Sequence, residues 1–281
     1  MNKQGIISVI GCGWLGLPLS ESLIASGYQV KGTTTSPAKL EILRNKGIEP
    51  YLVHFEDKKP LNLGGVMNCD VLIIDIPPGR RSADGAANYR VMADLITQEL
   101  TKSEVKKVIL VSSTSVFRDS NSIVSESSLP DPDSETGKLL LQVENQFLAL
   151  PNIQVCVLRP AGLVGPGRHP GRFFRDKVDV PNGLAPINLV HLEDVIGILQ
   201  CLIENPEAGG RYHACSPEHP AKEDFYRQAA ESLNLKAPGF IREKKNYKII
   251  SSERVQEELR YRFKYPDLLT WINGNGSRDA D

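Results

Sequence analysis

The sequence has neither a long apolar run nor a basic excess. None of its apolar stretches approaches the roughly 20 residues that a membrane-spanning helix needs. Met1–Gln4 leads directly into the strand-like run Ile6–Ile10, without the apolar region and cleavage site of a signal peptide. The net charge is −1, whereas nucleic-acid-binding proteins usually carry an excess of lysine and arginine. We therefore expect a cytoplasmic protein that binds neither membranes nor nucleic acids.

Cysteine and histidine are both scarce, with five of each in 281 residues. The cysteines are scattered and form no CxxC pair, which argues against a disulfide framework and favours reduced thiols. The histidines lack the spacing of metal ligands, so the sequence indicates no metal site. With 41% hydrophobic residues, a chain of this length can bury a sizeable core without disulfides or metals.

Short β-rich runs alternate with helical patterns through the first half of the chain. The strand-like run Ile6–Ile10 is followed by leucines four residues apart, Leu15, Leu19 and Leu23, which mark one face of a helix. The same alternation continues as far as the strand-like run Ile153–Leu158. Strands that alternate with helices build βαβ units. The sequence therefore predicts an α/β fold with a Rossmann-type, doubly wound parallel sheet.

A glycine motif of the form GxGxxG joins the first predicted strand to the first predicted helix. In such a motif Gly11 allows the tight turn, Gly13 lets the backbone approach a pyrophosphate, and Gly16 lets helix and strand pack closely. The N-terminus of the helix attracts the anion through its unpaired N–H groups. The alternative is a glycine-rich structural turn that binds nothing. We predict a dinucleotide site formed by Gly11, Gly13, Trp14, Leu15 and Gly16.

The end of the second predicted strand bears on which dinucleotide binds. NAD-binding proteins usually place an acid there, on the ribose 2′-OH, but residues 32–39 contain none. Hydroxyl groups and a lysine could instead donate hydrogen bonds to a 2′-phosphate. We therefore predict NADP(H), held partly by Thr34, Thr35, Ser36 and Lys39. The alternative is that the threonines form a turn and a helix cap, and that the site accepts NAD as well.

The chain resembles the extended short-chain dehydrogenase/reductase family, also called the NAD-dependent epimerase/dehydratase family. Besides the glycine loop, four segments in family order carry the resemblance: residues 111–117, 158–168, 188–195 and 212–216. The resemblance implies a Rossmann domain and a smaller C-terminal substrate-capping region.

The resemblance also implies where the two regions lie along the chain. We expect the dinucleotide-binding domain at residues 1–160 and 187–216, and the capping region at residues 161–186 and 217–272. Residues 273–281 are rich in glycine, asparagine, serine and aspartate. Such a composition predicts a disordered tail.

The family's catalytic residues are a serine or threonine after the fifth strand and a YxxxK pair on the next helix. The resemblance assigns the first role to Ser113 and the lysine role to Lys138, which would also hold the nicotinamide ribose. The tyrosine position falls on Ser134, and a serine hydroxyl is far too weak an acid to replace a phenol. We therefore interpret Ser134 as a helix N-cap, and the chain resembles the atypical branch that lacks the tyrosine.

Several further residues are candidates for ligand contacts. The loop after the fourth predicted strand borders the cofactor in this fold, so Pro77 is a candidate cofactor contact and Arg80 a candidate substrate contact. Arg168 and Arg172 form part of a basic cluster at the start of the expected cap. Arginine side chains suit carboxylate or phosphate groups, although solvated surface arginines are the alternative.

Two functions remain open at this point. One is an oxidoreductase or epimerase that uses NAD(P) on a small anionic or sugar-like substrate. The other is a non-catalytic NADP(H)-sensing or scaffold protein. The glycine loop is compatible with both, the missing tyrosine favours the second, and Ser113, Lys138 and the arginines favour the first.

Overall fold

A computed structural model describes residues 5–55, 62–79 and 85–276. The strands are β1 (Ile6–Ile10), β2 (Gln29–Thr34), β3 (Glu49–Leu52), β4 (Val71–Ile74), β5 (Lys107–Val111), β6 (Ser122–Val124), β7 (Gln154–Pro160), β8 (Gly162–Val164), β9 (Leu189–His191), β10 (Gly210–Ala214) and β11 (Lys248–Ile250). The helices are α1 (Gly16–Ala25), α2 (Ala38–Asn45), α3 (Leu63–Met67), α4 (Gly85–Leu100), α5 (Glu135–Leu148), α6 (Leu192–Glu204), α7 (Lys222–Glu231), α8 (Glu253–Glu257) and α9 (Leu268–Trp271).

The central sheet has seven strands in the order β3-β2-β1-β4-β5-β7-β10. β1 pairs in parallel with both β2 and β4, so the strand order reverses at β1. Helices connect successive parallel strands, as α1 does between β1 and β2. The α/β prediction of a Rossmann-type, doubly wound sheet is confirmed. In such a sheet a ligand binds at the carboxyl ends of the strands where the order reverses.

The inner strands of the sheet are buried because they read as near-continuous apolar runs. Every residue of β5 (Lys107–Val111) is buried, including the lysine at its start. The Lys107 ammonium donates to the backbone oxygen of Asn205 at 2.6 Å, which supplies a partner for the buried charge. In β2 the buried Lys31 ammonium likewise donates to the backbone oxygens of Gly65 and Asn68, both at 2.9 Å.

The chain forms two compact units, each made of several segments. The first comprises residues 1–116, 132–158 and 199–211, and the second comprises residues 117–131, 159–198 and 212–281, as far as each is described. The first unit contains the glycine loop, the five strands β1 to β5 of the central sheet, and most of β7. The expected division into a dinucleotide-binding domain and a cap is a functional one, and it stays a prediction.

The second unit has an apolar core of its own. Phe225, Trp271 and Ile272 are among its buried members, and Phe174 and Phe240 pack against them. Two short parallel pairs, β6 with β11 and β8 with β9, also belong to this unit. The sequence analysis predicted neither β6 nor β8, because three-residue strands are too short for a recognisable alternation.

The end of the described chain is helical. Residues 273–276, expected as the start of a disordered tail, lie in the helical turn Ile272–Gly276 that continues α9. The helix begins at an N-cap, where the Asp267 carboxylate accepts a hydrogen bond from the Leu269 N–H at 2.9 Å. The rest of the expected tail, residues 277–281, lies outside the described residues.

Candidate functional site

The glycine loop joins the end of β1 to the start of α1. Gly11 has φ +105°, and a Cβ built on it would lie 2.3 Å from the backbone oxygen of Asp75. A Cβ on Gly16 would lie 2.1 Å from the backbone oxygen of Gly11. Real Cβ atoms essentially never approach this closely. The folded chain itself therefore requires glycine at both positions.

Gly13 differs from the other two glycines of the loop. A Cβ on Gly13 would have no described atom within 4 Å and would point into open space. Nothing in the packing of the described residues therefore excludes a side chain at this position. Because Gly13 has no side chain and the space beside it is open, an anion has room to approach the backbone at this helix N-terminus.

A cavity of about 240 Å³ opens beside this loop. It lies at the carboxyl ends of β1, β2 and β4, where the strand order reverses. Its wall is formed by the glycine loop and by the residues that follow β2, β3 and β4: Gly11, Cys12, Gly13, Thr33, Thr34, Thr35, Lys39, Val53, Phe55, Asp75, Ile76 and Pro77. This is the position at which a doubly wound sheet holds a dinucleotide.

Six of the predicted cofactor residues belong to the cavity wall: Gly11, Gly13, Thr34, Thr35, Lys39 and Pro77. Four others lie in the same loops but not in that wall: Trp14, Leu15, Gly16 and Ser36. Leu15 and Gly16 are buried at the start of α1, whereas Trp14 and Ser36 are partly buried. The side chain of Leu15 therefore packs in the core, and its backbone shapes the loop.

The threonines at the end of β2 shape the cavity through their hydroxyl groups. The Thr33 hydroxyl accepts a hydrogen bond from the Gly11 N–H at 2.9 Å and so ties β2 to the glycine loop. The Thr34 hydroxyl accepts from the Ser36 N–H at 3.1 Å. The sequence analysis missed Thr33. Its position in a strand end beside the glycine loop is the signal that would have identified it.

The sequence analysis also missed Asp75, which lines the cavity. Asp75 follows β4 directly, and its N–H donates to the backbone oxygen of Ile10 at 2.8 Å. Burial raises the pKa of the Asp75 carboxyl to about 7, and a hydrogen bond from the Gly16 N–H acts in the opposite direction. This carboxyl therefore titrates near neutral pH within the wall of the candidate site.

Ser113 and the first turn of α5 hold the predicted catalytic positions. Ser113 is partly buried after β5, and its hydroxyl accepts from the Ser115 N–H at 3.1 Å. The Lys138 side chain is 56% exposed and forms an ion pair with Glu135 at 2.7 Å. Among the described residues, no hydrogen bond joins Ser113 to Lys138.

The prediction that Ser134 caps a helix is confirmed. Ser134 is the N-cap of α5, with extended backbone geometry, and its hydroxyl accepts from the Gly137 N–H at 3.1 Å. The side chain of a capping serine satisfies one of the unpaired N–H groups at the start of the helix. Ser134 is exposed.

The middle of α5 carries a buried carboxylate that the sequence analysis did not single out. Glu144 is fully buried, and it accepts a hydrogen bond from the Ser112 hydroxyl at 2.6 Å. The Arg211 guanidinium lies 3.5 Å from the same carboxylate and donates to the Asn145 side chain at 2.6 Å. These contacts attach α5 to the carboxyl end of β5.

Two of the three predicted substrate-binding arginines lie among the described residues. Arg168 and Arg172 are exposed residues of the second unit, and the Arg168 N–H donates to the backbone oxygen of Gly165 at 2.9 Å. Arg80 lies outside the described residues.

Within the described ranges, no group of three or more metal-ligating side chains could hold a metal ion, and no cysteine forms a disulfide. In the same ranges, no helix has both the length and the apolar character needed to cross a membrane.

The fold and the glycine loop together place the chain in the class of Rossmann-type α/β proteins. No family model matches the chain. The chain is 39% identical over 268 residues to protein YeeZ of Escherichia coli strain K12, covering 94% of this chain and 97% of YeeZ.

Solved structures share this fold over nearly the whole chain. MoeE5, in complex with UDP-glucuronic acid and NAD, has a TM-score of 0.82 at 19% identity and covers 99% of this chain and 100% of its own. A short-chain dehydrogenase/reductase superfamily protein from Agrobacterium tumefaciens with bound NAD has a TM-score of 0.81 at 14% identity, covering 98% of this chain and 96% of its own. The chain belongs to the same family as protein YeeZ, and it shares its fold with MoeE5 and with the short-chain dehydrogenase/reductase superfamily protein from Agrobacterium tumefaciens.

Proposed function

We propose that this chain binds NADP(H) at the glycine loop, with NAD(H) as a weaker ligand. The observation that carries the proposal is the cavity beside Gly13, whose outer wall includes Thr34, Thr35 and Lys39. The N-terminus of α1 would hold the pyrophosphate, and the open space at Gly13 would allow its approach. The dinucleotide supplies hydride transfer when bound.

The preference for the 2′-phosphate rests on the charges at the rim of the cavity. Residues 33–38 contain no acid, and the Lys39 ammonium and the Thr35 hydroxyl are exposed beside the cavity. A 2′-phosphate accepts hydrogen bonds from ammonium and hydroxyl groups, whereas an acid at this position would repel it. MoeE5 and the Agrobacterium protein both carry NAD, so NADH is the ligand against which NADPH must be compared.

Calorimetric titration with NADPH and NADH tests the cofactor preference. Thr34→Asp keeps an acceptor for the Ser36 N–H and adds a negative charge, so NADPH affinity should fall by about tenfold or more. Thr34→Asn is the neutral control of matched size, and it should bind NADPH within a few-fold of wild type. Equal affinities for NADPH and NADH in the wild type would contradict the proposal.

We further propose an oxidoreductase or epimerase activity on a small anionic or sugar-like substrate. The fold shared with a short-chain dehydrogenase/reductase superfamily protein supports a catalytic role, and MoeE5 was solved with a sugar nucleotide. Ser113 and Lys138 are the residues retained from the family's catalytic set. Arg168 and Arg172 remain candidate contacts for an anionic group, as does Arg80. We place the protein in the cytoplasm, which the absence of disulfides among the described cysteines favours.

A non-catalytic NADP(H)-sensing or scaffold role is the second candidate. It is favoured by two observations at α5, where Ser134 serves as an exposed N-cap and the Lys138 ammonium is paired with Glu135. No phenol occupies the tyrosine position that the family resemblance assigns to Ser134.

Turnover assays separate the two candidates. UDP-glucuronic acid and UDP-glucose are the first substrates to test, with NADP+ or NAD+ present. Reduction of the cofactor is followed by absorbance, and epimerisation by analysis of the sugar, since epimerisation produces no net redox change. Product formation by the wild type that is lost in Gly13→Val supports the enzyme. Tight NADPH binding without product from a broad set of sugar and carboxylate substrates supports the sensor.

A further inference from the structure

A carboxyl group lies where the glycine loop is expected to receive an anion. The Gly16 N–H, in the first turn of α1, donates a hydrogen bond to Asp75. A Cβ built on Gly16 would lie 3.3 Å from Oδ2 of Asp75, which shows how closely the carboxylate approaches this turn. Asp75 also lines the same cavity as Gly11 and Gly13. An ionised Asp75 would therefore occupy part of the positive end of α1.

The charge on Asp75 and the charge on a pyrophosphate oppose each other. Both are anions that interact favourably with the N-terminus of α1. Two like charges at one partly buried site disfavour each other's ionised form. A pyrophosphate carries its negative charge at all pH values near neutral, so Asp75 is the group that can become neutral.

Asp75 faces three other groups that could change their charge. They are the Cys12 thiol of the glycine loop, the Tyr89 phenol of α4 and the Lys39 ammonium of α2. Burial raises the pKa of Cys12 to about 11 and also raises the pKa of Tyr89, so both stay neutral near pH 7. Burial brings the pKa of Asp75 to about 7. Cys12 and Tyr89 therefore keep their charge state near neutrality, whereas Asp75 is expected to titrate there.

We propose that Asp75 is a positioning residue that couples dinucleotide binding at the glycine loop to the uptake of one proton. The inference rests on the proposed dinucleotide binding and adds its regulation. The proton comes from the solvent and neutralises the Asp75 carboxylate as the pyrophosphate arrives. The neutral carboxyl group can still accept the Gly16 N–H through its carbonyl oxygen. The ionised form binds the dinucleotide weakly, and the protonated form binds it tightly.

The direction of the pH dependence follows from the proton balance. Binding consumes a proton, so affinity is highest at acidic pH and falls as Asp75 ionises. The fall reaches at most about tenfold per pH unit, because one proton is exchanged. The 2′-phosphate of NADPH titrates near pH 6 as a phosphate monoester does. NADH lacks this group, so NADH is the cleaner probe.

Calorimetric titration with NADH from about pH 6 to about pH 9 tests the inference. Repeating each titration in two buffers with different ionisation enthalpies gives the number of protons taken up. The wild type should lose affinity above neutral pH and take up close to one proton. Asp75→Asn should bind with little dependence on pH and take up no proton, and at alkaline pH it should bind more tightly than the wild type.

Asp70→Asn is the matched control. Asp70 directly precedes β4, at the end opposite Asp75, and its carboxylate accepts from the Ile6 N–H at 2.8 Å. This variant should keep the pH dependence of the wild type. If Asp75→Asn does not fold, Asp75→Ser supplies a second neutral side chain.

Three results would overturn the inference. The first is an Asp75→Asn variant whose affinity depends on pH as in the wild type. The second is wild-type binding that is tight and independent of pH, which would leave the proposed function intact. The third is the absence of NADH and NADPH binding in the wild type and the Asp75 variants at every pH, which would also overturn the proposed function.

Discussion

At the scale of single residues, the glycines of the loop differ in their surroundings. Gly16 is required by the fold, because a Cβ there would meet the backbone oxygen of Gly11 at 2.1 Å. Gly13 faces open space instead. Packing therefore accounts for glycine at position 16, whereas the proposed dinucleotide would account for it at position 13.

Gly13→Val should separate binding from folding. The valine side chain would extend into the space where the pyrophosphate is expected. We expect urea unfolding close to that of the wild type and a loss of NADPH affinity of more than about tenfold, equivalent to roughly 1.4 kcal/mol or more. Gly16→Val is the control, since it should destabilise the fold itself. Retained affinity in a folded Gly13→Val protein would mean that the loop is only structural.

Ser134 and Lys138 lie one helical turn apart and should respond differently to substitution. Ser134→Ala should cost about 1 kcal/mol of stability through loss of the N-cap, while leaving NADPH affinity unchanged and any turnover within a few-fold. Ser134→Asp should restore the cap, because aspartate is a preferred N-cap residue. Urea unfolding and calorimetric titration provide the two readouts.

Lys138→Ala should instead weaken NADPH binding, because the family resemblance assigns to Lys138 the contact with the nicotinamide ribose. Glu135→Gln removes the negative charge that pairs with Lys138 but keeps the Lys138 ammonium, so it should not weaken NADPH binding. A collapse of turnover in Ser134→Ala, with affinity and stability unchanged, would show that serine has a catalytic role that its weak acidity does not predict.

At the scale of elements, α5 depends on a buried polar contact with the end of β5. The Glu144 carboxylate is fully buried and accepts from the Ser112 hydroxyl at 2.6 Å. Ser112→Ala would remove a donor from a buried charge, which should cost roughly 1–3 kcal/mol in urea unfolding. Ser120→Ala is the control, because Ser120 is exposed. Equal stabilities of the two variants would contradict this role for Ser112.

The long elements of the sheet were predictable and the short ones were not. The helix predicted from Leu15, Leu19 and Leu23 is observed as Gly16–Ala25, and the strand predicted over 153–158 is observed as Gln154–Pro160. Both carry enough residues for a periodic apolar pattern to show. β11 (Lys248–Ile250) has only three residues and exists because it pairs with β6 (Ser122–Val124). Such a pairing depends on a distant part of the chain.

At the scale of the whole molecule, dinucleotide binding should raise thermal stability. A ligand that binds only the folded state stabilises it by about 2.7 kcal/mol when its concentration is 100 times the dissociation constant. We expect NADPH to raise Tm more than NADH at equal concentration, and Gly13→Val to show no rise with either. Differential scanning fluorimetry measures these shifts. A larger shift with NADH would contradict the proposed preference for NADP(H).

The sequence by itself determined the class of fold, the position of the glycine loop and the cap at Ser134. Each depends on residues that are close along the chain, through apolar periodicity, backbone freedom or a hydrogen bond within one turn. Only the tertiary structure decided that Asp75 lies beneath Gly16, that Thr33 holds Gly11, and that Gly13 faces open space. The two contacts join segments that are distant along the chain. They form because β1 pairs with both β2 and β4, which brings the ends of these strands together.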